Sequence, residues 1–232
     1  MAKYYQVGSM SEIKNALLDY YGANVTIHAD STTQVIFSCA QVSDKVIKIT
    51  GYSDVRSYYG DAFSGGDITN PVEFGGSTTS GSTSNVHMVC GDTFVLLNVL
   101  ASSINSRLVI ISQLTDNSFM VYGFIGQANV IYTIDAGGYV TTSNTEVSLS
   151  GLDVDCNIGA KAFLMKPIII DPLGSALSVG GVQVSFKDIY SVSKKKGNAT
   201  VGKGPGYFLT TSGLYDKNSN ELKCSLFVEV TN

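Results

Sequence analysis

The segment Ala176-Leu177-Ser178-Val179-Gly180-Gly181-Val182-Gln183-Val184-Ser185-Phe186 alternates apolar and polar residues on both sides of a Gly-Gly pair. Alternation with period two places successive side chains on opposite faces of a strand. Two glycines between such runs mark a two-residue hairpin, because the central residues of its turn need positive φ. The segment predicts two antiparallel strands, and the same pattern extends through most of the chain.

Phe94–Val99, Arg107–Gln113, Phe119–Phe124, Asn129–Asp135, Tyr139–Thr142 and Glu146–Leu149 are strand-sized runs, punctuated by Asp116-Asn117, Gly126, Gly137-Gly138 and Gly151. Tyr207–Thr211 and Lys223–Thr231 close the chain, the latter with Cys224, Leu226, Val228 and Val230 on one face. Upstream, Asn24–His28, Gln34–Cys39 and Lys45–Thr50 are rich in Val and Ile and separated by polar turns, as in a meander. Thirteen Tyr and ten Phe with no Trp suit pleated surfaces.

One helix is expected. Ser9-Met10-Ser11-Glu12 is a capping box, in which the Ser9 hydroxyl takes the Glu12 N–H and the Glu12 carboxylate reaches back to Ser9 N–H. Met10, Ile13, Leu17 and Tyr21 follow at helical spacing, and Gly22 is suited to the C′ position. The expected fold is mainly β, a β-sandwich of jelly-roll-like type with this short N-terminal helix. The expected organisation is a small α+β piece over 1–59, a Gly/Ser/Thr-rich loop or arm over 60–85, and a main β-sandwich over 86–232.

Charge is scarce, at 15 % of residues, and unevenly placed. Between Ser57 and Ala160 the only base is Arg107 against nine acids, a net −8, whereas residues 161–232 carry nine Lys against five acids, a net +4. Such a surface grips a phosphate backbone poorly over most of its length and suits contact with other protein, where interface cores are depleted of charge. The N-terminus shows no apolar signal-like run, and no stretch approaches the length of a membrane span, so synthesis in a cytoplasm is expected. The four cysteines lie far apart and read as reduced, buried thiols.

Motifs that could carry chemistry fall short. Gly197-Asn198-Ala199-Thr200-Val201-Gly202-Lys203-Gly204 matches a phosphate-binding loop until Gly204 stands where Ser or Thr must hold Mg²⁺. It reads instead, with Lys194-Lys195-Lys196, as a basic loop that could contact an acidic neighbour. His28-Ala29-Asp30 would set a base beside a carboxylate on one strand face, but no nucleophile elbow accompanies it. His87 and Cys90 lack further zinc ligands at suitable spacing, and Asp153-Val154-Asp155 lacks a calcium-loop pattern. No cofactor and no metal are expected.

Ser106–Ile125 (SRLVIISQLTDNSFMVYGFI) and Tyr207–Asn232 carry a resemblance, in texture across Val86–Asn232, to structural proteins of tailed-bacteriophage virions: capsid, neck or tail-associated components. The resemblance implies a non-enzymatic protein, made in the host cytoplasm and located in the virion, that associates with copies of itself and with other virion proteins. Lys194, Lys195, Lys196 and Lys203 would then be contact residues. The alternative is a receptor- or glycan-binding β module using Tyr58 and Tyr59, with Tyr52 beside them. A hydrolase on a β scaffold, gathering His28 or His87 with acids, is the third reading.

Overall fold

The computed structural model describes residues 1–51, 55–76, 85–100, 107–125, 128–134, 140–143, 164–166, 178–193, 202–204, 206–210, 214–215 and 222–231. The chain opens with β1 (Lys3–Val7) and α1 (Met10–Tyr21), followed by β2 (Val25–Asp30), β3 (Gln34–Cys39), β4 (Val46–Thr50) and β5 (Arg56–Gly60). A small hairpin, β6 (Phe63–Ser64) and β7 (Asp67–Ile68), precedes β8 (Val72–Gly76). Long strands follow: β9 (Asn85–Gly91), β10 (Phe94–Leu100), β11 (Arg107–Gln113), β12 (Phe119–Ile125), β13 (Ala128–Ile134) and β14 (Val140–Ser143). The remaining strands among the described residues are β15 (Leu164–Met165), β16 (Ser178–Val179), β17 (Val182–Gln183), β18 (Tyr190–Ser193), β19 (Gly202–Gly204), β20 (Tyr207–Leu209), β21 (Leu214–Tyr215) and β22 (Leu222–Glu229). Among the described residues no helix is long and apolar enough to cross a membrane.

The fold is mainly β, with antiparallel sheets and one N-terminal helix, as expected from the residue pattern. A central sheet has the order β1-β9-β10-β11-β12-β13-β14, an N-terminal sheet the order β2-β3-β4-β5-β8, and a C-terminal sheet the order β15-β18-β22-β20-β19 with β21 beside β22. From β9 onward the central sheet is a meander.

Both faces of the central sheet are covered where its side chains are described, from β9 to the first half of β12. Met88, Cys90, Val95, Leu97, Val99, Val109, Ile111 and Val121 join one core cluster with the helix and the N-terminal sheet. Their alternates Val89, Phe94, Leu96, Leu108, Ile110 and Met120 join a second cluster with Phe208, Leu226 and Val228 of the C-terminal sheet. A strand buried on both faces has no solvent side to keep polar. That is why Phe94–Leu100 reads as a nearly unbroken apolar run. Stacking on both faces makes the architecture sandwich-like twice over, with the central sheet shared.

The expected boundary between 1–59 and 86–232 does not divide the core. β1 pairs with β9 along its whole length, Lys3 opposite Cys90 through Val7 opposite Val86. Ala2 forms a parallel bridge with Val230. One cluster contains Ile13 and Leu17 of α1, Phe37 of β3, Ile47 of β4, Phe74 of β8 and Leu97 of β10. The amphipathic helix and the inner rows of the N-terminal sheet require an apolar cover, and the central sheet supplies it. The expected loop over 60–85 is also corrected in its first part, since Phe63–Ser64, Asp67–Ile68 and Val72–Gly76 are strands. Residues 77–84 lie outside the described residues.

The helix begins and ends where its caps predict. Ser9 is the N-cap in extended backbone, with Glu12 N donating to Ser9 Oγ at 3.2 Å. The Glu12 carboxylate accepts from Gly8 N, one residue before the expected partner. Gly22 ends the helix at φ 54°, its N–H on Leu18 O, in backbone that costs glycine little. Tyr21 then ties the helix to the central sheet, its single hydroxyl proton shared between Gly91 O at 2.8 Å and Phe94 O at 2.7 Å.

Candidate interaction surface

Free cations decide whether a surface can hold anionic partners. Lys3 pairs with Asp19 at 2.6 Å, Lys14 with Asp30 at 2.7 Å, Lys45 with Asp61 at 2.8 Å and Lys48 with Asp67 at 2.7 Å. Arg56 faces Glu73 at 3.8 Å. Lys187 donates to Gln113 Oε1 and Asn117 Oδ1. Lys166 donates to the carbonyls of Phe186 and Lys187 and lies 4.0 Å from the Tyr190 ring centroid; burial lowers its pKa, with Asp188 acting in the opposite sense. Each of these cations already has an acceptor within the chain. Lys194, Lys195 and Lys196 lie outside the described residues. Lys203 is placed on β19, paired with Phe208 of β20. That strand setting differs from the helix N-terminus that a phosphate loop needs.

The tyrosine candidates separate. Tyr59 is 2 % exposed and packs in the core against Phe74, the ring centroids 6.1 Å apart. It presents no surface to a glycan, which corrects that expectation. Tyr58, its neighbour on the opposite face of β5, is half-buried among Ile36, Val46 and Ile68. Period two explains the split, since adjacent strand residues face opposite ways. Tyr52 lies outside the described residues.

The histidines are likewise separated from their sequence neighbours. A bulge between Ile27 and Ala29 interrupts the β2–β3 register at His28. The His28 ring stacks on Phe63 at 5.0 Å, with Nε2 2.9 Å from Ser38 Oγ, while Asp30 is engaged by Lys14. His87 packs beside Tyr4 and Phe208, whereas Cys90 belongs to the cluster on the other face of the central sheet. An odd spacing on a strand forces that divergence, so the pair cannot converge on one metal ion. Cys39 and Cys90 are buried free thiols, and burial raises the pKa of each.

Among the described residues, the Gly180-Gly181 hairpin exposes two apolar side chains. β16 and β17 pair only with each other, Ser178 opposite Gln183 and Val179 opposite Val182. Gly180 and Gly181 sit at φ 61° and 81°, as the tight turn demands. Val179 is 56 % exposed and Val182 70 %. Among the described residues only Met1 and Leu18 are comparable large apolar exposures. The base of the hairpin is clamped: Val184 and Phe186 are buried, Ser185 N donates to Thr115 Oγ1 at 3.1 Å, and Thr115 N donates to Ser185 O at 2.9 Å. An uncharged tip with two exposed valines therefore extends from a root bonded through Ser185 on its C-terminal side.

No protein-family model matches the chain, and no curated protein matches it.

The hairpin was visible in the residue order, but the exposure of its valines was not. Alternation alone assigns Val179, Val182, Val184 and Phe186 to strand faces without saying which strand continues into the core. The signal that could have marked the tip is its setting: Ser178 and Gln183 pair across it, and the Gly-Gly turn is flanked within two residues by polar side chains.

Proposed function

We propose that this chain is a non-enzymatic structural and assembly protein of a bacteriophage particle, associating with copies of itself through uncharged β surface. The observation that carries the reading is the projecting hairpin, whose Val179 and Val182 are exposed while its root is bonded to the central sheet. A tip paired as a hairpin has less conformational freedom to lose on docking than an unpaired loop, which favours association. The charge pattern supports the same reading, because the acid-rich middle and the Lys-rich end of different copies attract one another. Head-to-tail contacts of that kind close into rings when the rotation between copies allows.

Light scattering across a concentration series tests self-association. Oligomers are expected for the wild type, with a shift toward monomer in the Val179→Ser/Val182→Ser variant. A wild type that stays monomeric at high concentration and low salt overturns self-association. Mass spectrometry of purified particles tests the location, and absence of the chain from them overturns the virion role.

A further inference from the structure

The outer face of the N-terminal sheet carries a row in cross-strand register: Ala29, Ile36, Lys48, Tyr58 and Glu73. Ile36 on this row is 0 % exposed, although the sheet's main core lies on the opposite face. Its cover is the excursion between β5 and β8, residues 61–70, with Phe63 and Ile68 packed over the row. This excursion makes its own ladder, Phe63 opposite Ile68 and Ser64 opposite Asp67, and closes on itself through Asp61 N to Thr69 O and Thr69 N to Ala62 O. Its ladder joins it to neither neighbouring sheet. Side chains hold it down instead. Lys48 Nζ lies 2.7 Å from both carboxylate oxygens of Asp67, Lys45 Nζ lies 2.8 Å from Asp61 Oδ1, and Phe63 stacks on His28.

We propose that residues 61–70 form a strap, latched by Lys45–Asp61 and Lys48–Asp67, that lifts as a unit and uncovers the apolar patch around Ile36 and Val46. A two-stranded hairpin is marginal by itself, so its closed state depends on the latch and the patch. Local opening below the cost of global unfolding is the expected behaviour of such a unit. Gly60 is its seat. A Cβ built there would lie 2.5 Å from Thr69 O and 3.0 Å from Ile68 Cβ, so a methyl group at this position wedges the strap from below without touching a charge.

Hydrogen exchange on the full chain tests the strap, comparing wild type, Lys48→Ala and Gly60→Ala. In both variants the amides of residues 62–69 are expected to exchange faster, roughly five-fold for the loss of one ion pair, while β3 and β4 keep wild-type rates and binding of an apolar dye increases. In the wild type, raising salt to about 1 M should speed the same amides by screening the latch. The proposal is overturned if 62–69 keep wild-type rates in every one of these conditions, or if β3 and β4 speed up equally with them. The test is independent of self-association, since the strap can lift in a monomer.

Discussion

The Tyr4 hydroxyl lies 2.7 Å from His87 Nδ1, and both rings pack against Phe208 where the central and C-terminal sheets meet. Opposite His87 on the neighbouring strands are Gln6 and Asn98, which are uncharged. In the tautomer with Nδ1 unprotonated, neutral His87 accepts a hydrogen bond from the Tyr4 hydroxyl; protonation of the ring removes that acceptor and places a charge in the seam. Burial lowers the His87 pKa below its ordinary value of 6.5. The unfolded chain thus binds this proton more readily than the folded one, and stability falls as pH drops through the unfolded value of about 6.5. Thermal melts should show this slope in the wild type and a flatter profile in His87→Gln. Equal slopes in the two would remove His87 from the linkage.

The latch carboxylates titrate in the opposite direction. Asp61 and Asp67 have pKa values below the ordinary carboxylate, first because of hydrogen bonds from Lys45 and Lys48 respectively. The charged and titratable groups across from them on the sheet are Lys45, Lys48, His28, Tyr58 and the Arg56–Glu73 pair. Their contribution is complete above the unfolded carboxylate value of about 4 and is lost as pH falls through the lower folded value. Protection of the strap amides, with the intrinsic pH dependence of exchange divided out, should fall below about pH 4 in the wild type. Asp67→Asn should show the lowered protection already at neutral pH, and wild-type protection there would contradict the latch.

Tyr21 spans two carbonyls. Tyr21→Phe leaves Gly91 O and Phe94 O without this donor, and should cost about 1–3 kcal/mol in chemical denaturation. Met10, Ile13 and Leu17 remain buried, so the far-UV spectrum should be preserved. A change below about 0.5 kcal/mol would mean that water replaces the hydroxyl without loss.

Adjacent leucines on β10 test whether one core or two hold the chain together. Leu96 faces the C-terminal sheet and Leu97 the helix and N-terminal sheet, both at 0 % exposure. Leu96→Ala and Leu97→Ala should each cost about 2–5 kcal/mol. Each variant should still unfold in a single transition, because the central sheet is common to both layers. Two separated transitions in Leu97→Ala would restore the N-terminal piece as an independent unit.

Much of the local structure was legible in residue order. Ser9, Glu12 and Gly22 delimit a helix through caps that act within a few residues, and Gly180-Gly181 define a turn through their freedom at positive φ. The runs Gln34–Cys39 and Arg107–Gln113 coincide with β3 and β11, because β-branched alternation is a property of the strand itself. Tyr58 and Tyr59 show the limit. Period two says that they face opposite ways, but only the packing partners decide that Tyr59 enters the core while Tyr58 lies under the strap.

Strand identity, the helix and its caps, the tight hairpin turn and the sparse, polarised charge were determined by the sequence alone, since each depends on neighbours within a few positions or on composition. Tertiary structure decided which sheet became the centre. Pairing β1 with β9 joins residues about eighty positions apart, and nothing in either strand names its partner. The same long-range choice buries β10 on both faces, seats the strap on Gly60 and leaves Val179 and Val182 in solvent, because burial belongs to the assembled layers and not to any one segment.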